Sequence, residues 1–261
     1  MENKKTFKSL LSGSFSFFYL HRFLFAKMTI IFFTVLLFLG QLVRLDVWDE
    51  FFYYFFGVYY NLLIKAANVV TYFVFAIFFI AMFEAIQRKK AGQEARVWAV
   101  YKQAILKLPR FLYVLLAYVL KVFSWSLVLV VPGILFAIFY SGCFCSCCID
   151  GKKGEEALFF SKSIIKKNFN TYCDYILFFV LLMVIIFIPS FHILNFAIRT
   201  FIEKKNIFGG VTVHLFQLGL LGYVINYCFV FYYFLYEEIK NRVESENQQQ
   251  AQGSMPGGHD E

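Results

Sequence analysis

Four cysteines fall within six positions of "SGCFCSCCIDGKK", residues 141–153: Cys143, Cys145, Cys147 and Cys148. Sulfur at that density raises the question of a metal, a redox centre or an acylation site. On a helix, Cys143 and Cys147 share one face at i, i+4, whereas Cys145 and Cys148 share another at i, i+3, so four thiolates do not converge on one zinc ion. Small, polarizable packing residues are the expected role. Reversible acylation at Cys147 or Cys148, and soft-metal capture together with Cys173, stay open as alternatives.

The remaining polar inventory is thin. Lys121 sits midway along one apolar stretch, and Asn68 and Asn226 lie in two others; these are the intramembrane polar candidates. A partner for Lys121 would be Asn68, Asn226, the Ser124 hydroxyl, or lipid phosphate reached by snorkelling. Glu84 and Asp174 stand at the cytoplasmic ends of apolar stretches, with Glu84 the candidate proton carrier. His21, His192, His214 and His259 are scattered, and none has a second ligand at helical metal spacing in its own stretch. The pairs Gly209–Gly210 and Gly257–Gly258 lack the lysine-ended form of a phosphate loop. Neither catalytic, cofactor-binding nor metal-binding residues are expected, and the chain reads as a non-enzyme with no cofactor.

The elements that must position these residues follow from composition. The chain is 60% hydrophobic and 22% aromatic with only 16% charged residues, too little polar surface to cover a soluble domain of 261 residues. Crossing a bilayer core of roughly 30 Å takes about 20 apolar residues in helical form. Six stretches approach that length: 24–43, 66–83, 110–130, 133–149, 171–190 and 211–236. The third and fourth are separated only by "VPG", and Pro132 suits the first turn of a new helix, so a tight hairpin is expected rather than one kinked helix. The basic opening "MENKKTFKSLLSGS" carries no cleavage pattern, and the first span is expected to stay in place. Residues 1–243 are read as one integral membrane domain, and polar 244–261 as a disordered cytoplasmic tail.

Lys and Arg fix the orientation. Five lie at the N-terminus, seven in 84–110, five in 150–170 and two near the tail, 19 in all, against five on the other side, with Lys121 inside a span. The positive-inside rule then places both termini in the cytoplasm of a cell whose inner membrane holds the chain. The net charge of +8 is accounted for by this asymmetry, and no nucleic-acid partner is expected. The external segment "DVWDEFFYYFFGVYYN" reads as a loop whose rings settle in an aromatic belt.

Three segments before the three hairpins share one spacing, i, i+1, i+4, i+7, i+8. They are Leu10, Leu11, Ser14, Phe17 and Phe18; Val97, Trp98, Tyr101, Ala104 and Ile105; and Ala157, Leu158, Ser161, Ile164 and Ile165. Each is expected to be an interfacial amphipathic helix whose apolar positions face the membrane. Their basic flanks, above all Lys162, Lys166 and Lys167, are candidates for anionic lipid headgroups.

Residues 131–169 resemble a superfamily of bacterial inner-membrane proteins that includes the membrane domain fused to some glycerophosphoryl diester phosphodiesterases. The resemblance rests on Pro132 and Gly133 opening a span, then Glu156, Ala157 and Ser161 within "EAL..S", then Lys166, Lys167, Asn168 and Phe169. It implies a membrane protein tied to lipid or envelope homeostasis. The fused catalytic barrel would take roughly 250 residues, for which this sequence has no room.

The sequence thus predicts an all-α polytopic bundle of about six transmembrane helices with an amphipathic helix before each hairpin. The expected role is a scaffold or lipid-interacting protein, with membrane lipids and a membrane-protein partner as its associates. A small transporter or channel with a polar midplane path through Asn68, Lys121 and Asn226 is the alternative.

Overall fold

The computed structural model describes residues 6–43, 46–203 and 207–253. Among the described residues every regular element is a helix: α1 (Phe7–Leu20), α2 (Arg22–Val43), α3 (Asp46–Lys90), α4 (Val97–Val128), α5 (Val130–Ser141), α6 (Cys143–Cys148), α7 (Gly154–Lys167), α8 (Phe169–Glu203) and α9 (Ile207–Gly253). Backbone groups have no water to bond within a bilayer, and helices satisfy them internally.

Local chemistry sets many of the ends. The Thr6 hydroxyl caps α1 by accepting from the Ser9 amide at 3.4 Å. Past the end of α3, Gly92 takes a left-handed φ of 71°. The Gln93 amide then reaches back to the Arg88 carbonyl at 2.8 Å and the Gly92 amide to that of Lys89 at 3.1 Å, a Schellman closure. Between α4 and α5 only Leu129 is extended, and Pro132 falls in the first turn of α5. The two helices fold back on each other, with Trp125 stacked on Phe136 at 4.3 Å. A Cβ on Gly133 would lie 2.9 Å from the Ser126 Cα, so glycine is what allows this approach.

Five helical stretches are long and apolar enough to cross a membrane: Arg22–Leu39, Lys65–Lys90, Val130–Cys148, Phe169–Phe201 and Val211–Gln249. The remaining expected stretch, 110–130, lies largely in α4, which is not among them. The expected external loop is also replaced. From Asp46 the backbone is already helical, as the start of a 45-residue α3.

The short segments need the largest correction. In α7 all five spaced positions, Ala157, Leu158, Ser161, Ile164 and Ile165, are buried in protein rather than turned to lipid. In α1 the fully buried positions are Leu10, Ser14 and Phe18, while Phe15, Tyr19 and Leu20 are exposed. The middle segment is no separate helix but the first part of α4; there Ala104 is buried and Trp98 is 80% exposed. The reason is geometric. An apolar stripe on a helix satisfies a protein core as well as a bilayer, and neighbouring helices reach these faces first.

These segments nevertheless form a pattern. Segment one, α1, packs on α9, the return helix of the third hairpin; α4 packs on α3, the return helix of the first; α7 packs on α5 and α6, the return helix of the second. Each hairpin is thus clasped by the short segment of the next in a closed cycle. One continuous buried cluster joins them, running from Leu10 and Phe18 through Phe78, Phe83 and Cys145 to Phe231 and Tyr236.

The tail also differs from expectation. α9 runs on to Gly253, through residues 244–253, while 254–261 lie outside the described residues. Glu and Gln extend a helix at little cost once it is nucleated. Lys240 and Glu244 pair at 3.8 Å, and Lys167 donates to Asn247 at 2.8 Å, tying this extension to the end of α7.

Candidate functional site

At the end of the bundle that the basic residues mark, polar side chains from four regions close into a belt. Glu84 on α3 accepts from Arg88 at 2.8 Å and from Lys107 on α4 at 2.5 Å. A carboxylate held by two cations is a structural anchor, so the geometry disfavours Glu84 as a proton carrier. Asp150, just past α6, pairs with Lys240 of α9 and accepts from the Tyr236 hydroxyl at 2.6 Å. Tyr236 also meets Ser146 at 2.7 Å. Lys90 pairs with Glu237, and Arg242 with Glu238 at 3.0 Å. Gln87 donates to the Ile149 carbonyl and Arg110 to that of Lys152, fixing the turn between α6 and α7 from both sides.

The cysteine cluster sits inside this belt. Cys143, Cys145, Cys147 and Cys148 are all free and buried, and no group of three His, Cys, Asp or Glu among the described residues could hold a metal ion. Their surroundings are packing partners: Phe144, between them in sequence, meets Phe79, Phe111 and Tyr118.

The intramembrane candidates do not converge. Asn226 is buried and exchanges hydrogen bonds with Thr29 of α2 at 2.9 and 2.6 Å. Lys121 reaches Glu155 at the start of α7, at 3.1 Å. That carboxylate was missing from its expected partners because it lies outside the spans. Asn68 is exposed on α3. With each residue facing a different neighbour, the three line no common path.

The positions behind the family resemblance are mainly packing and turn residues. Ser161 is buried and donates to the Phe139 carbonyl at 2.8 Å, locking α7 across α5. Ala157 permits the close approach, and Glu156 pairs with Lys152 at 2.6 Å, which holds its carboxyl below the usual range. Of the headgroup candidates, Lys162 lies over the Phe136 ring at 4.9 Å, Lys167 bonds Asn247, and Lys166 is exposed.

A second feature had no sequence signal. Between α5–α6 and α8 lies a cleft of about 810 Å³, bounded by Ile134, Ala137, Leu177 and Val180 toward its apolar end. At its other end Ser141 meets Tyr172 at 2.7 Å, Tyr172 meets Tyr232 at 3.4 Å, and Asp174 stands on the rim.

Comparison of the chain with family models, with curated proteins and with solved structures finds no match. What can be said of function therefore rests on the chain's own geometry.

Proposed function

We propose that this protein is a non-enzymatic integral protein of the cytoplasmic membrane, with both termini inside, that organises lipid at the inner face. In this reading α4 supplies a sixth span beside the five apolar stretches, its Lys121 neutralised by Glu155. The carrying observation is α7. Its apolar face is wholly occupied by protein, so its opposite face, with Lys162, Lys166 and Lys167, has a fixed outward direction at the inner boundary. Anionic headgroups gain about 1 kcal/mol per nearby Lys or Arg. The resemblance to the phosphodiesterase-linked membrane superfamily agrees with such a role in envelope homeostasis.

The test is native mass spectrometry of protein extracted from phosphatidylglycerol-containing vesicles. Replacing Lys162, Lys166 and Lys167 with Gln is expected to reduce retained anionic lipid severalfold. Unchanged retention in the folded triple variant would overturn the reading. The transport alternative receives no support from Asn68, Lys121 and Asn226, which the fold keeps apart.

A further inference from the structure

Asp174 stands apart from eight acidic residues that hold ion pairs. Among the described acidic residues, Glu84, Glu94, Asp150, Glu155, Glu156, Glu237, Glu238 and Glu244 each hold a cation within ion-pair distance. Asp174 has neither an ion-pair nor a hydrogen-bond partner among the described residues. Lys167 bonds Asn247, and Arg242 on the facing helix bonds Glu238 and Tyr175. Yet Asp174 lies five residues into a helix apolar enough to span a bilayer. Asp174 is exposed at the cytoplasmic end of that helix, beside the apolar wall of the cleft, where a carboxylate attracts cationic groups.

The cleft it borders has the proportions of a lipid site. From Asp174 to Val180 the wall of α8 rises about 9 Å at 1.5 Å per residue, within one leaflet of the bilayer core. Polar groups gather at the headgroup end: the Ser141, Tyr172 and Tyr232 hydroxyls, then Asp174. Beyond them the walls are aliphatic. The Ser141, Tyr172 and Tyr232 hydroxyls bond one another and keep spare acceptor lone pairs at this end, and the volume lies in the range of small-molecule sites. A carboxylate at the mouth repels an anionic headgroup and attracts an ammonium.

We infer that the cleft between α5–α6 and α8 binds an inner-leaflet phospholipid bearing a primary ammonium headgroup. The ammonium sits on Asp174, the glycerol region on the Ser141–Tyr172–Tyr232 hydroxyls, and one acyl chain along Ala137, Leu177 and Val180. This deepens the lipid-organising reading and rests on it only for the membrane setting, since it invokes none of the α7 lysines.

Cys173 provides a local reporter, because it lines the cleft, while the more deeply set Cys228 lines a different groove with Phe179 and Val184, and each is compared with itself between lipids. Full-length protein is placed in nanodiscs of phosphatidylethanolamine or of phosphatidylglycerol, and maleimide labelling of both cysteines is followed by peptide mass spectrometry. Phosphatidylethanolamine is expected to slow Cys173 labelling severalfold relative to phosphatidylglycerol, with Cys228 unchanged. Asp174→Asn should erase that headgroup difference and Asp174→Glu retain it. Ala137→Trp, filling the cleft, should abolish bound phosphatidylethanolamine in native mass spectra. Equal labelling of Cys173 in the two lipids, or a difference that survives Asp174→Asn, would overturn the inference. The comparison of lipids on unaltered protein decides even if a variant misfolds. Loss of phosphatidylglycerol selectivity in the lysine variant bears only on the earlier reading.

Discussion

Helices α1 and α7 carry the same apolar spacing and occupy different surroundings. α7 is packed by α4, α5, α6, α8 and α9, and its whole apolar face is covered; α1 leans chiefly on α9 and leaves Phe15, Tyr19 and Leu20 exposed. Each contains one buried serine at the centre of the spacing. Ser161 donates across to α5 at 2.8 Å, whereas Ser14 turns to its own helix at Leu11 and meets Tyr227 only at 3.5 Å. The spacing therefore specifies that a helix has one apolar side. The number of neighbours decides whether that helix is a keystone or leaves apolar side chains uncovered.

The sharpest way to break this contrast is to remove what aims α7. Asp150→Ala deletes the carboxylate that ties the α6–α7 turn to Lys240 and Tyr236, both on α9. Removing the carboxylate from this partly exposed pair should cost about 1–3 kcal/mol, read as a lowered Tm in detergent, with hydrogen exchange rising in α7 before α1. Retained protection of α7 would show that packing alone orients it.

A matched series follows at one position of the spacing. Leu158 is 1% exposed, Leu11 half-buried and Trp98 80% exposed. Truncation of Leu158 to Ala should cost about 2–5 kcal/mol, as buried Leu does. Leu11→Ala should cost less, and Trp98→Ala should stay within about 0.5 kcal/mol. Equal losses at Leu158 and Leu11 would erase the distinction between the two helices. Among the serines, Ser161→Ala should lose about 1 kcal/mol for its hydrogen bond and Ser14→Ala less, again by thermal unfolding.

The smallest effect separates the junctions by pH. His21 joins α1 to α2, where burial, then the charge of Lys89, hold its imidazole below the ordinary value of 6.5. A histidine lowered in this way supports the fold while neutral, above that value, and withdraws support as the pH falls through the lowered one. The α7–α8 junction has Asn168 in the corresponding place and no such titration. Protection factors, corrected for the intrinsic exchange rate at each pH, should fall modestly at 17–25 from pH 7.5 to pH 5.5 and not at 164–172, and His21→Gln should remove the difference.

Much of this was legible in the residues. The apolar stretches, the break at Pro132, the turn after "CSCC" and the packing role of those cysteines all follow from hydropathy and helical period. Asn226 as an interhelical bond was likewise readable, though Thr29 as its partner was not, being 197 positions away. Lys121 stands out in its apolar stretch, but its partner Glu155 lies 34 positions on and outside the spans, where hydropathy gives no signal. For Asp174 the sequence marks only its position at the end of an apolar stretch. Nothing nearby in sequence reveals that eight other acids hold ion pairs and that this one faces a cleft.

By itself, then, the sequence determined where the chain is apolar, where it turns and which side of each short helix avoids water, since these are local sums over a few residues. Only the tertiary structure decided whether such a side meets lipid or protein, which charges neutralise one another, and which is left over. Those outcomes depend on contacts such as Asp150 with Lys240 or Lys90 with Glu237, between residues 90 and 147 positions apart. Helical period carries no information over that separation, and only packing sets it.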